Sequence, residues 1–383
     1  MTEAIDQASQ VTQSSIRDVL TILSQLECER AFLVLDESAY EASGARAELD
    51  PFLDQLSISR FVQFELNPKI EDIERGVGQC RDFKPDVVIA IGGGTAIDLA
   101  KLIGALSVHS ASPREIVTGQ CLIDLAGPPL IAVPTTAGTG SEATHFAVAY
   151  IAGEKFSCAH PTLLPGYAIV DPTLTQSLPR GITAATGLDA FCQAIESIWS
   201  VGATDQSIVW ATEAATLARQ NLVQATTAPT PESRTAMSRA SHLAGKAINV
   251  SKTTAPHALS YYLTSKHGIP HGMAVALTLS PMLAWNAEVT DADCVDQRGA
   301  AHVRKRIAII CRIMQAADVQ SACANIEKLV ADLDCPVTLA EAGIVDSQEI
   351  GRIIDSVNME RMSNNPRSTT SEDLLDLLSG RTS

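Results

Sequence analysis

An α/β domain built on a parallel sheet, followed by an all-helical domain, is the fold class this sequence predicts. Three observations predict it. The first half alternates short β-branched runs with helical stretches, the pattern of a parallel sheet covered by helices. Two turns rich in Gly and Thr follow directly on such runs. After Pro179 the strand signals fade, while helical periodicity continues almost to the end. The 383 residues also exceed the ~250–300 at which single cores stop growing, so a domain boundary is expected. We place it near residue 178, between Asp171-Pro172 and Leu178-Pro179, where prolines interrupt both periodicities. The domains are then 1–178 and 179–383. No internal repeat or low-complexity segment is visible, and only the first dozen residues and the last few are expected to be disordered.

Taken in order, Ala31–Leu35, Val87–Ile91 and Leu130–Val133 read as buried strands, each followed by a polar or Gly-rich turn, and Ala168–Val170 as a fourth. Ile182–Trp199, Gln206–Ala225 and Arg234–Ala247 carry helical spacing. The formal net charge of −16 argues against nucleic acid or an anionic membrane as partner, because the overall field repels both. An anionic substrate would have to meet a local cluster of cations. Nine cysteines lie scattered without a C-x-x-C pair. That usage, with no basic-then-apolar leader and no run of eighteen apolar residues, reads as a soluble cytoplasmic protein with reduced thiols.

The run Gly92-Gly93-Gly94-Thr95-Ala96-Ile97-Asp98 follows a strand and enters an amphipathic helix. Its glycines let the backbone approach an anion, and the free N–H groups of the helix start stabilise phosphate charge. The run is neither the G-x-G-x-x-G fingerprint nor the P-loop, and a turn chosen only for its backbone conformation would also use glycine. A second turn, Thr135-Thr136-Ala137-Gly138-Thr139-Gly140-Ser141, places hydroxyls where they can bond a phosphate, a ribose or a carboxamide. Two such turns at the ends of parallel strands mark where open α/β sheets bind nucleotides. Asp36, directly after the first strand, suits an adenosine ribose and would repel a 2′-phosphate, favouring NAD(H) over NADP(H). The same aspartate would serve equally as a helix N-cap.

In the second half, His257, His267 and His271, three of the eight histidines, stand at spacings that can converge on one ion. Asp189 opens a helix-like segment upstream. Neutral imidazoles and a carboxylate suit a borderline divalent cation, and three protein ligands leave one position open for a reacting oxygen. Each histidine alone would more often be an ordinary helix contact.

Together these segments resemble the iron-containing (group III) metal-dependent alcohol dehydrogenases. The resemblance rests on Gly92–Lys101, Pro134–Glu142, Ala185–Ala190, Pro270-His271-Gly272 and Asn365-Pro366-Arg367. Within that family, Ser251–Tyr261 and Asn364–Arg367 are most similar to phosphonoacetaldehyde reductases of phosphonate biosynthesis. The resemblance implies a Rossmann-like N-terminal domain, a helical C-terminal domain of the kind dehydroquinate synthases share, and cofactor and metal in the cleft between them. It implies Asp189, His257 and His271 as metal ligands. The fourth position holds Gln193 in place of the usual histidine, so Fe²⁺ and Zn²⁺ both remain open. Tyr261 stands where the family commonly has another histidine, and the usual Gly-x-Gly turn before the first helix is missing. Lys155 matches a family lysine near the cofactor.

The implied reaction is reduction of a small aldehyde by NAD(P)H, with phosphonoacetaldehyde giving 2-hydroxyethylphosphonate. A semialdehyde is the alternative substrate, and a lyase-type or inactive relative the alternative class. Water, His267 or Tyr261 would supply the proton. Lys252, with Thr253 and Thr254, and Arg361 and Arg367 would hold an anionic head, although Lys and Arg are ordinarily solvated. The resemblance also implies a homodimer or larger assembly.

Overall fold

A computed structural model describes residues 10–357 and 359–380. The chain divides into two compact units, Met1–Leu178 and Pro179–Ser383.

The first unit runs β1 (Val11–Gln13), α1 (Asp18–Gln25), β2 (Arg30–Leu35), α2 (Glu37–Ala42), α3 (Ala45–Leu53), β3 (Ser57–Phe61), α4 (Ile70–Phe83), β4 (Val87–Gly92), α5 (Gly94–Leu106), α6 (Pro113–Val117), β5 (Leu130–Pro134), β6 (Phe146–Ile151), β7 (Glu154–Ala159) and β8 (Tyr167–Ile169). Six strands form one parallel sheet in the order β1-β8-β5-β4-β2-β3. Its faces are both buried. Phe32, Val34, Val88, Ala90 and Ala132 pack on Ile73, Val77, Ile97 and Ile103, whereas Leu33, Leu35, Ile89, Ile91 and Val133 pack on Val19, Ile22, Tyr40 and Leu49. Burial on both sides is why these strands read as unbroken apolar runs.

The sheet order has one reversal. From β2 the chain passes outward to β3, then returns to β4 on the other side of β2 and continues to β5. The crevice of an open α/β sheet lies at the carboxyl ends of the two strands flanking such a reversal. Here they are β2, followed by Asp36, and β4, followed by Gly93.

Several elements depart from the sequence reading. Val11 and Thr12, inside the stretch expected to be disordered, pair with β8 as part of β1, while residues 1–9 and 381–383 lie outside the described residues. The edge strand β3 carries only one fully buried residue, so it shows no apolar run. β6 and β7 form an antiparallel hairpin whose turn, Ala152-Gly153, has φ of 52° and 85°. Both residues take the left-handed values that favour tight hairpins.

Lys101 stitches α5 to the chain beyond β5. Its side chain is buried, and Nζ donates to the Thr144 hydroxyl at 3.0 Å and the Phe146 carbonyl at 2.8 Å. Asp98 lies 3.7 Å away and accepts from the Val148 N–H at 2.9 Å and the Ser141 hydroxyl. Burial pushes the Lys101 pKa down to about 8, against the upward pull of Asp98 and Glu142. It therefore remains mostly charged at neutral pH.

The second unit is helical: α7 (Arg180–Trp199), α8 (Asp205–Thr227), α9 (Pro231–Ser251), α10 (Ala255–His267), α11 (His271–Ala287), α12 (Ala300–Ile313), α13 (Val319–Ala331), α14 (Ser347–Asp355), α15 (Met359–Ser363) and α16 (Ser371–Leu378). α7 packs against α8, α9, α11 and α12, and every residue from Gly187 to Trp199 is buried. Capping boxes at Thr204 and Thr230 start α8 and α9. Gly268, at φ 68°, ends α10.

Lys101→Met leaves Asp98 without its cation. Breaking a buried pair typically costs about 3–5 kcal/mol. The loss here should fall at or below that range, because the Val148 N–H and the Ser141 hydroxyl still hold Asp98. Urea unfolding measures it; a change near zero would mean that the lysine acts only as packing.

Candidate metal centre and nucleotide cradle

Asp189, Gln193 and Glu196 stand at i, i+4 and i+7 of α7, which puts them on one face of a helix buried on all sides. Asp189 is 3% exposed and Glu196 fully buried. Carboxylates so placed are stable only if paired or bonded to a cation. Histidines supply the partners. His257, in the first turn of α10, sets Nε2 3.3 Å from Asp189 Oδ1 and hydrogen-bonds Glu196 Oε1 through Nδ1. His271, the first residue of α11, brings Nε2 to 3.9 Å from Asp189 Oδ1. The two rings meet edge to face at 5.4 Å.

One ligand atom from each of Asp189, His257 and His271 lies within 4.8 Å of the others. Gly272 makes this approach possible. A Cβ there would stand 2.0 Å from the Ala185 carbonyl oxygen and 2.6 Å from the Asp189 nitrogen.

The donor set fits a divalent cation. Burial lowers the His257 pKa, but Glu196 and Asp189 raise it further, to about 10. Burial raises the Asp189 pKa, while hydrogen bonding to His257 and the charge of His271 draw it below the ordinary carboxylate value. The pocket thus demands positive charge, and its two imidazoles and one carboxylate are borderline ligands. The His271 side chain is 32% exposed against 5% for Asp189 and His257, so the group opens on that side. Gln193 hydrogen-bonds the Asp189 carboxylate and lowers its pKa, which orients that ligand.

The other predicted residues divide. Tyr261, one turn beyond His257, lies over His271 with ring centroids 6.1 Å apart and planes within 16°. His267 does not join the cluster, contrary to the expected convergence of three histidines. Ten residues of helix put it about 15 Å along the axis from His257. Its Nε2 instead meets Glu349 at 2.9 Å, and its ring lies against Tyr262.

Lys252 occupies the turn before α10, with Thr253 and Thr254 buried behind it. Arg361 is buried on α15. Arg367 was expected to hold an anionic head, but its guanidinium serves the fold: it donates to Asp293 at 2.8 Å and to the Trp285 carbonyl at 2.8 Å, and lies 3.8 Å over the Trp285 ring.

In the first unit, the two expected turns lie side by side. The Thr135 N–H donates to the Gly92 carbonyl at 2.9 Å, and added Cβ atoms at Gly93 and Gly94 would stand 3.5 Å from Thr136 and 2.8 Å from Thr139. Gly92, at φ 153°, allows the first turn of α5 to approach Asp36. Thr95 bonds the Asn67 N–H at 3.3 Å. Asp98 and Ser141, expected to contact a cofactor, bond to each other and so shape the cradle from behind. Asp36 accepts from the Ala39 N–H and the Ser38 hydroxyl as the N-cap of α2. Lys155 lies on β7, opposite Tyr150.

Glu196, inside the helical stretch Ile182–Trp199, carries no role in the sequence reading. Its helical spacing from Asp189 was available in the sequence, but its partners, 58 and 61 residues away, were not.

A buried Asp–His–His group on a helical unit and a Gly/Thr cradle at the switch point of a parallel sheet suit an enzyme that works with a divalent metal and a nucleotide. A family model described as "Iron-containing alcohol dehydrogenase" matches residues 10–172, and one described as "Fe-containing alcohol dehydrogenase family, C-terminal" matches residues 183–381. The chain belongs to the iron-containing alcohol dehydrogenase family. It is 36% identical over 312 residues to a phosphonoacetaldehyde reductase of Streptomyces viridochromogenes, spanning 79% of this chain and 78% of that one. It is 34% identical over 299 residues to long-chain-alcohol dehydrogenase 1 of Geobacillus thermodenitrificans, spanning 77% and 74%. The structure of a sulfoacetaldehyde reductase from Bifidobacterium kashiwanohense in complex with NAD+ superposes with a TM-score of 0.86 at 27% identity, covering 98% of both chains. Accordingly the protein is an enzyme of the alcohol dehydrogenase and aldehyde reductase class.

His271→Ala should nearly abolish bound metal and activity, whereas Gln193→Ala should weaken binding about tenfold, as loss of an orienting partner does. Full activity in metal-free His271→Ala would refute the site. Gly272→Ala should cost about 3 kcal/mol or more, because backbone atoms cannot yield to the new Cβ. Metal content should fall with it, measured by elemental analysis beside thermal unfolding.

Proposed function

We propose that the enzyme reduces a small aldehyde bearing an anionic head, with phosphonoacetaldehyde giving 2-hydroxyethylphosphonate as the leading reaction. The observation that carries this is the turn that bears Lys252. It directly precedes the helix bearing His257, and Lys252 holds φ 58° and ψ 176°, a conformation that costs a non-glycine residue about 1–3 kcal/mol. Such strain persists only where surrounding structure enforces it. Asn364 does so, donating through Nδ2 to the Ser251 and Thr253 carbonyls at 2.8 and 2.9 Å. The relatives named for phosphonoacetaldehyde and sulfoacetaldehyde support the reading, since both names describe a two-carbon aldehyde with an anionic group.

In this reading Asp189, His257 and His271 would hold a divalent ion, which would supply Lewis acidity toward the carbonyl, and a nicotinamide in the cradle would supply the hydride. Lys252 pairs with the anionic head, and the hydroxyls of Thr253 and Thr254 line the same turn. Tyr261, stacked on His271, gives the proton to the reduced oxygen in preference to His267, which is committed to Glu349. In the cradle, the first N–H groups of α5 and the hydroxyls of Thr135, Thr136 and Thr139 receive the diphosphate and ribose, and Lys155 contacts the ribose. Asp36 selects NADH over NADPH by repelling a 2′-phosphate. Iron and zinc both suit the donor set.

Lys252→Met should lower kcat/KM for phosphonoacetaldehyde roughly ten- to a hundred-fold, the effect of losing a charge-assisted contact of about 1.5–3 kcal/mol. An uncharged aldehyde of similar size should be turned over almost unchanged. Equal losses on both would reduce Lys252 to a structural role. A wild-type preference for uncharged aldehydes would favour the reading suggested by the long-chain-alcohol relative.

Asp36→Gly should raise the NADPH/NADH ratio of kcat/KM by at least about tenfold, since like charges in contact cost several kcal/mol. Glycine is tolerated at an N-cap at a cost of only a few tenths of a kcal/mol. Unfolding would therefore not account for the change, and an unaltered ratio would leave Asp36 as a cap alone.

A further inference from the structure

We propose that Glu196 is a positioning residue that locks the metal ligand His257 and the Lys252 turn to one rigid helix, an inference that rests on the metal-site reading above. Its carboxylate is fully buried and both oxygens are committed. Oε1 takes the hydrogen bond from His257 Nδ1. Oε2 accepts from the Thr254 N–H at 2.7 Å and the Thr254 hydroxyl at 2.9 Å. That hydroxyl in turn accepts from Trp199 Nε1 at 2.8 Å, so α7 grips Thr254 twice. One more α7 residue and the residue that caps the helix hold the same turn: Ser197 bonds the Ser251 hydroxyl at 2.7 Å, and Ser200 donates to the Ser251 carbonyl at 3.1 Å.

The consequence for His257 is a fixed tautomer. A carboxylate has no proton to give, so Nδ1 keeps its hydrogen, and it is Nε2, the nitrogen that faces Asp189 at 3.3 Å, that gives up its proton and offers a lone pair when a cation takes that proton's place. A carboxylate on the far nitrogen also makes an imidazole a stronger donor to an ion. The other oxygen fixes the backbone two residues beyond Lys252. Asp189, the orienter of His257 and the anchor of the turn therefore share one buried helix face.

Glutamine cannot reproduce this pattern although it has nearly the same shape. His257 Nδ1–H, the Thr254 N–H and the Thr254 hydroxyl are all donors, and an amide offers one acceptor oxygen and one donor nitrogen. If its NH₂ faces Nδ1, the imidazole is driven to the Nε2–H tautomer, which cannot ligate. If its NH₂ faces Thr254, the turn loses its anchor.

The test uses full-length protein loaded with Zn²⁺ or Co²⁺, with affinities read by chelator competition. Glu196→Gln should bind both ions about 10–100-fold more weakly and shift the visible absorption of the Co²⁺ form. Glu196→Asp, which retains the charge, should recover part of both. In the wild-type Zn²⁺ form, ¹⁵N NMR should report His257 protonated on Nδ1, a readout independent of whether any variant folds. Wild-type affinity and an unshifted Co²⁺ spectrum in Glu196→Gln, or an Nε2-protonated His257, would overturn the role of Glu196 alone. A wild-type protein with no affinity for divalent ions would instead remove the metal-site reading beneath it.

Discussion

The burial of Asp189 and Glu196 on one face of α7 is the constraint on which the helical unit depends. Neither carboxylate can remain in an apolar interior without positive charge and donors close by. Two helix starts meet that demand. α10 enters with His257 between the two carboxylates, and α11 enters with His271 against Asp189. Helix N-termini also favour neighbouring negative charge. The path of α10 and α11 past α7 is thus set by electrostatics as well as by apolar packing. The contact at Gly272 shows how little room is left once both histidines are in place.

In the first unit a topological constraint plays the corresponding part. The reversal in strand order opens the crevice at the ends of β2 and β4, and only small residues fit the turn that lines it. Gly92 lets α5 come close to Asp36, and Gly94 lets it come close to Thr139. Behind that surface, Asp98, Ser141 and the buried Lys101 hold the second turn in place. Residues that a motif groups together therefore separate into those that line the crevice and those that brace it, and Asp98 and Ser141 brace it by bonding to each other.

Much of this was legible in the sequence, because periodicity and turn chemistry are local. The four buried strands, the change of character near Pro179 and the pair of Gly/Thr turns all follow from neighbours in the chain. β3 and the β6–β7 hairpin were missed because their burial patterns are mixed, with polar positions that break any apolar run. The Asp–His–His group was half legible. Asp189, His257 and His271 came from motif resemblance, and spacing alone admitted His267, which a full α10 carries away toward Glu349. Arg367 shows the same limit, since nothing local distinguishes a cation for a ligand from one stacked on Trp285. Glu196 was in view but silent, because its role depends on partners that only the tertiary fold brings near.

The strained Lys252 shows why that fold is rigid where it is. A lysine at φ 58° would relax if either side of its turn were loose. Ser251 is held by Ser197 of α7 and by Ser200, which caps that helix, Thr254 by Glu196 and Trp199, and the two carbonyls flanking Lys252 by the single amide of Asn364. Asn364 also accepts from the Gly202 N–H through Oδ1 at 2.9 Å, so it ties the end of α7 to the same turn. Only glycine-like space permits that approach, because a Cβ at Gly202 would stand 2.8 Å from the Ser251 carbonyl oxygen. The helix that presents Asp189 and orients His257 therefore also fixes the backbone of Lys252. A shift of α7 large enough to disturb Asp189 and His257 would disturb the lysine with them, so the Asp–His–His group and the turn beside it have to be built as one piece.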